Sequence, residues 1–154
     1  MSLYLLALLI GIIAGLRALT APAAVSWAAH LGLLPLQHTP LAFLGATVTP
    51  YILTVLAIVE LITDQLPKTP SRKVPMQFGV RLVTGAVSGV AIGAAAGSML
   101  GGAVAGVIGA VIGTLGGASA RGALARALGR DLPAALIEDL VAVVGAVLIV
   151  MAIA

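Results

Sequence analysis

The chain contains no cysteine, very little charge and almost no aromatic bulk. Without cysteine there are no disulfides, no thiolate chemistry and no Cys-ligated metal. Charged residues make up 8% of the 154 positions, against roughly a quarter in ordinary soluble domains, which leaves no room for a sizeable soluble domain. Aromatic residues are 3%, so bulk must come from Leu, Val and Ile, with Ala and Gly filling close contacts. The signatures of common active sites are missing too. No Lys-Ser/Thr follows Gly117–Gly122, so that stretch is not a phosphate loop. Ser26, Ser88, Ser98 and Ser119 stand in no nucleophile-elbow pattern. His30 and His38 have no partner at zinc-site spacing. No catalytic residue, metal or cofactor is therefore expected, and a lipid-modifying enzyme ranks last among the functional readings.

What is present is apolar: 61% of the residues are hydrophobic and the mean hydropathy is +1.22. Between Arg81 and Arg121 run 39 residues without a charge, enough for two crossings, since about 20 apolar residues span the roughly 30 Å hydrocarbon layer. These features predict one all-α domain over residues 1–154, a polytopic membrane bundle of about five to six apolar helices. The segments are 2–16, about 20–36, about 41–66, about 78–97, about 101–120 and 134–154. The first lacks a basic n-region and is read as a retained helix, not a cleaved signal. If 20–36 crosses, the chain makes six spans, and two three-helix halves would be inverted relative to each other, as in many transporters.

The eight basic residues give a sequence pI near 10.0, and their clustering reads as topology, not as nucleic-acid binding. Lys68, Arg72, Lys73 and Arg81 precede the uncharged run, and Arg121, Arg126 and Arg130 follow it. Positive residues favour the cytoplasmic side. This puts the proline-rich loop at about 67–77 and the basic stretch at about 121–133 in the cytoplasm of a cell with an inner membrane, and the C-terminus outside.

Glycine recurs every fourth residue at Gly85, Gly89, Gly93, Gly97 and Gly101, and a second series runs through Gly102, Gly106, Gly109, Gly113 and Gly117. Small residues at that spacing expose backbone on one helix face and allow close helix approach. The pattern predicts glycine-zipper packing and a homo-oligomer, a dimer being favoured.

The candidate polar residues are few. Glu60 and Asp64 share one helix face, and a carboxylate at mid-helix in lipid costs about 2.5–3.5 kcal/mol. That face is expected to look at protein, water or an ion. Glu138 and Asp139 stand in the first turns of a helix, where its dipole favours acidic residues, a sufficient structural reason for both; against it, Glu138 shares a face with Ala142 and Gly145, and a carboxylate pointing into the bundle would need a partner. Asp139, about 100° around the helix, is expected at the surface. Arg17, Arg81 and Arg121 are the candidate partners for Glu60 and Glu138, while Arg126 and Arg130 read as plain anchors. His30 reads as a satisfied interfacial imidazole and His38 as a turn residue.

One stretch carries a family resemblance. Glu60-Leu-Ile-Thr-Asp64-Gln65-Leu66-Pro67, followed by Arg81-Leu-Val-Thr-Gly85-Ala86, resembles the acidic and Arg-Gly-Ala motifs of the domain of unknown function 4126 family of bacterial multi-pass membrane proteins. Gln65 stands where that family carries Lys. The resemblance implies a small multi-pass membrane protein with no assigned activity. It singles out Glu60, Asp64, Pro67, Arg81 and Gly85.

The functional expectation is a small transporter or channel-like permease for an ion or small solute, with a polar site of Glu60, Asp64, Glu138, Arg17, Arg81 and Arg121. Its surroundings are the lipid bilayer. The alternative is a non-transporting scaffold or accessory subunit that associates through its glycine faces.

Overall fold

Six α-helices and one 3-10 turn follow each other without a strand in the described residues of a computed structural model, which are 3–34, 36, 39–63, 75–129 and 131–153. Asp64, His38, Arg130 and most of the loop at 67–77 lie outside them. The helices are α1 (Leu3–Leu16), α2 (Thr20–His30), α3 (Thr49–Thr63), α4 (Pro75–Ala96), α5 (Met99–Leu128) and α6 (Asp131–Ile153), with the 3-10 turn at Ala42–Gly45.

Local chemistry explains the boundaries. Pro22 and Pro50 fall in the first turns of α2 and α3, where a missing N–H costs nothing. Gly32 (φ +83°) ends α2, with the Leu33 amide bonding the Ala28 carbonyl at 2.8 Å and the Gly32 amide bonding Ala29 at 3.2 Å. Gly97 (φ +92°) ends α4 in the same manner, through Ser98 to Gly93 at 2.9 Å. Both are left-handed caps, a conformation that favours glycine. Ser98 then caps α5, its hydroxyl accepting from the Gly101 amide at 3.0 Å.

Several expected boundaries move. The stretch 20–36 is helical only to His30, and its 11 residues rise about 16 Å, half the hydrocarbon thickness. It therefore does not match the long helices of the other half, and two equivalent three-helix halves are not what the helix lengths show. The segment at 41–66 begins with the 3-10 turn and becomes α-helical at Thr49. The fifth helix does not stop at Ala120 but carries the basic stretch on as helix to Leu128. Three helices are long and apolar enough to cross a membrane, Gln77–Ala96, Met99–Leu128 and Pro133–Ile153, and Leu3–Leu16 and Thr49–Ile62 are shorter apolar helices. These indicate a membrane protein built as a helical bundle.

The bundle is organised around α1, which packs on α4, α5 and α6. Leu6, Ile10 and Ile13 of α1, Val25 of α2, Ile92 of α4 and Ile149 of α6 are buried together. Glycine sets the closest approaches. A methyl added at Gly89 would collide with the Gly102 carbonyl, and one at Gly93 would stand 2.6 Å from the Gly102 Cα. Gly109 and Gly113 abut the Leu8 and Ile12 carbonyls of α1. The five-glycine series does not form one stripe, however. Gly97 is the turn between α4 and α5, and Gly101, already in α5, lies against the Tyr4 ring. Apolar side chains that face away from the core, such as Ile52 and Val55 of α3 and Leu140 and Leu148 of α6, are half exposed or more.

Candidate functional site

α1 and α2 are separated by the link Arg17-Ala18-Leu19, and this break gathers the buried polar groups. A helix that stops leaves its last carbonyls and its first amides without intrahelical partners. Two arginines meet the carbonyls. Arg17 Nη1 donates to the Leu16 carbonyl at 2.9 Å, and Arg81 Nε donates to the Gly15 carbonyl at 3.1 Å. A carboxylate meets the amides: Glu60 accepts from Ala18 N at 2.9 Å and from Leu19 N at 2.8 Å, one oxygen to each. Positive charge thus sits at the C-terminal end of α1 and negative charge at the N-terminal end of α2, the signs that the helix dipoles favour.

Arg17 ties this break to α6. It is fully buried, and its guanidinium reaches two adjacent carboxylates. Nε donates to Asp139 Oδ1 at 2.7 Å, Nη2 lies 2.5 Å from the same oxygen, and Nη1 donates to Glu138 Oε1 at 2.7 Å. A planar five-donor group suits such multiple short contacts, where a lysine would offer a single point. The pairing of Arg17 with Glu138 agrees with the sequence expectation. Asp139 does not: its side chain is only 14% exposed, because the fork is wide enough to take the next carboxylate although helical rotation turns it aside. Arg81 is buried and also donates to Gln77 Oε1 at 3.3 Å. Arg121 is half-buried on α5, beyond the level of the break.

Helix register shows that these groups share one level. Gly85 abuts Ala110, Gly89 abuts Gly106 and Gly93 abuts Gly102, so every four residues forward along α4 are four back along α5. Continued by one step, the register sets Thr114 beside Arg81. Independently, a methyl added at Gly15 would stand 2.5 Å from the Thr114 backbone nitrogen. Measured from this level to the far ends of the helices, Arg17 is 14 residues from Leu3, Arg81 is 15 from Ala96, Thr114 is 15 from Met99 and Asp139 is 14 from Ile153. At 1.5 Å per residue all four helices put the polar layer about 21–22 Å from that end of the bundle. A hydrocarbon layer of about 30 Å beginning at that end would extend roughly 8 Å beyond the polar layer.

Two threonine hydroxyls escaped the sequence reading, which considers Ser88 only as a nucleophile. Thr20 Oγ1, Ser88 Oγ and Thr114 Oγ1 are buried and make no hydrogen bond. Thr20 opens α2 directly after the two amides that hold Glu60. Thr114 belongs to the layer by register. Ser88 lies seven residues past Arg81 on the same face of α4. Nothing in composition marks them, since isolated Ser and Thr in apolar helices usually bond their own backbone.

The remaining candidates are structural. His30 Nδ1 is 3.4 Å from the Gly45 carbonyl, and its ring meets Trp27 edge-on at 5.9 Å between centroids. Trp27 Nε1 donates to Thr54 Oγ1 at 2.8 Å, and Ser26 Oγ donates to the Leu44 carbonyl at 2.5 Å. These bonds pin α2 to α3 and to the 3-10 turn. No group of three His, Asp or Glu residues capable of holding a metal occurs among the described residues. No family model, curated protein or solved structure matches the chain.

Proposed function

We propose that the protein is a small transporter or permease of the cell membrane, with its polar site at the α1–α2 break. The observation that carries this reading is the depth of the buried Arg17, Glu138 and Asp139 group beside a helix interruption that Glu60 and Arg81 complete. Ionisable side chains within a membrane are costly and are kept mainly where they serve a pathway. The positive-inside tendency orients the loop at 67–77 and the C-terminal end of α5 toward the cytoplasm and the C-terminus outward. The motif resemblance marks Glu60, Arg81 and Gly85 as positions of interest and supplies no activity.

The glycine geometry weighs against a scaffold that binds partners through glycine faces. Gly85, Gly89, Gly93, Gly102, Gly106, Gly109 and Gly113 are used inside the protomer, so a dimer must form through other, apolar surface. The test is flux into proteoliposomes of purified protein, assayed for protons, monovalent cations and small anions. Transport of one of these should be present in the wild type and fall to the level of empty liposomes in Glu60→Gln. Absence of every flux, or a Glu60→Gln variant as active as wild type, would overturn the proposal.

A further inference from the structure

The groups that hold Glu60 at the start of α2 are hydrogen-bond donors, and this identifies the kind of ligand they are built to hold. The Ala18 and Leu19 amides point at one carboxylate with nearly equal distances of 2.9 and 2.8 Å. The next residue, Thr20, carries a buried hydroxyl that makes no hydrogen bond, and Thr114 brings a second such hydroxyl to the same level. The two buried guanidiniums of Arg17 and Arg81 flank the break from the α1 side. Helix N-termini bind oxyanions readily, because their amides converge and the dipole favours negative charge. Here that position is already filled by a carboxylate of the chain itself. Glu60 is only partly buried, near the end of α3, so it stands at the margin of the site and not at its centre.

We propose that the α1–α2 break is a binding site for a small oxyanion, a carboxylate or a phosphate, and that Glu60 is its internal occupant. An incoming oxyanion takes over the amides of Ala18 and Leu19 and engages the Thr20 and Thr114 hydroxyls, while Glu60 swings toward the partly exposed side. One carboxylate replaces one anion, so the exchange leaves the charge of the layer unchanged for a monovalent ligand. This rests on the transporter reading for its biological sense and names the substrate class of that same site. The binding claim itself can be tested without any flux.

The experiment is anion rescue of Glu60→Ala in detergent or nanodiscs, read as the unfolding midpoint in sodium acetate and in sodium phosphate against sodium chloride at equal ionic strength. Removal of the internal carboxylate should lower the midpoint in chloride. Acetate or phosphate should raise it in a saturable, concentration-dependent manner, whereas wild type, with its site filled, should respond far less. Adding Thr20→Val and Thr114→Val to Glu60→Ala should shift the rescue to several-fold higher anion concentration. Which anion acts at lower concentration separates carboxylate from phosphate recognition. If Glu60→Ala does not fold, Glu60→Gln is measured in the same way, since its NH2 cannot accept from one of the two backbone amides, which is left available to acetate. The proposal is overturned if neither anion stabilises the folded variant beyond chloride, if wild type responds equally, or if loss of the hydroxyls leaves the rescue curve unmoved. Rescue without flux would sink the transporter reading alone, and flux without rescue would sink the oxyanion site alone.

Discussion

Arg17 is the residue on which the polar layer turns, and its burial makes its removal informative. Taking two charges out of water costs several kcal/mol per ion, which only close and well-oriented contacts offset. Arg17 makes such contacts with Glu138, Asp139 and the Leu16 carbonyl. Arg17→Leu removes the guanidinium from two carboxylates and a helix-terminal carbonyl, and should cost about 3–5 kcal/mol, measured as the free energy of unfolding in mixed micelles. Arg17→Lys keeps the charge without the fork and should lose less. Equal losses in the two variants would mean that the planar geometry is irrelevant. The sequence made part of this visible: a charge beside an apolar run needs a partner, and Ala142 and Gly145 on its face offered Glu138 an inward orientation beside the helix-dipole reading. Asp139 was not legible, because a helical wheel assigns one direction per residue whereas a guanidinium spans two. The role of Glu60 was also hidden. It accepts from the backbone amides of residues 18 and 19, which become available only because α1 stops after Leu16; Pro22 bars a helix from running through residue 18 but does not say which group meets the freed amides.

At the scale of the elements, the α4–α5 hairpin shows where periodicity reads correctly and where it fails. The spacing of four singles out Gly85, Gly89 and Gly93, and a methyl added at any of the three would meet α5. It could not tell a glycine that is small from one that turns the chain, so Gly97 and Gly101 were counted into a stripe they do not belong to. Two alanine substitutions separate packing from propensity. A methyl at Gly106 would run into the Gly85 carbonyl oxygen, whereas one at Gly116 meets nothing within 4 Å. Gly106→Ala should therefore destabilise by about 1–3 kcal/mol through overpacking. Gly116→Ala should be neutral or stabilise by up to about 1 kcal/mol, through better helix propensity. Thermal unfolding of the two proteins in one detergent compares them directly, and losses of similar size would show that the hairpin does not pack through Gly106. Gly97→Ala tests the turn: a left-handed residue with a Cβ costs about 1–2 kcal/mol, with nothing nearby to clash.

The whole molecule poses a question of depth that neither residues nor single helices settle. Four helices of different sequence measure the same 14 or 15 residues from the polar layer to one end of the bundle, and that agreement was not legible before the register of α1, α4, α5 and α6 was known. If lipid surrounds this bundle, side chains exposed along its middle are shielded from water, while those at its ends are not. The chain has no native cysteine, so single cysteines report without background. Leu100, 76% exposed at the α4–α5 turn, and Leu128, at the end of α5, lie at opposite ends of the longest helix. Ile108 and Leu140 are comparably open but lie along the middle of α5 and the lower half of α6. In sealed vesicles a membrane-impermeant maleimide should label Leu100→Cys and Leu128→Cys from opposite faces, and Ile108→Cys and Leu140→Cys from neither until the vesicles are dissolved and the protein unfolded. A water-soluble helical bundle would expose all four alike, because only a surrounding hydrocarbon layer separates an open side chain from an aqueous reagent. Rapid labelling of Ile108→Cys in intact vesicles would therefore remove the medium on which the cost of burying Arg17, and the case for a transported ligand, both depend.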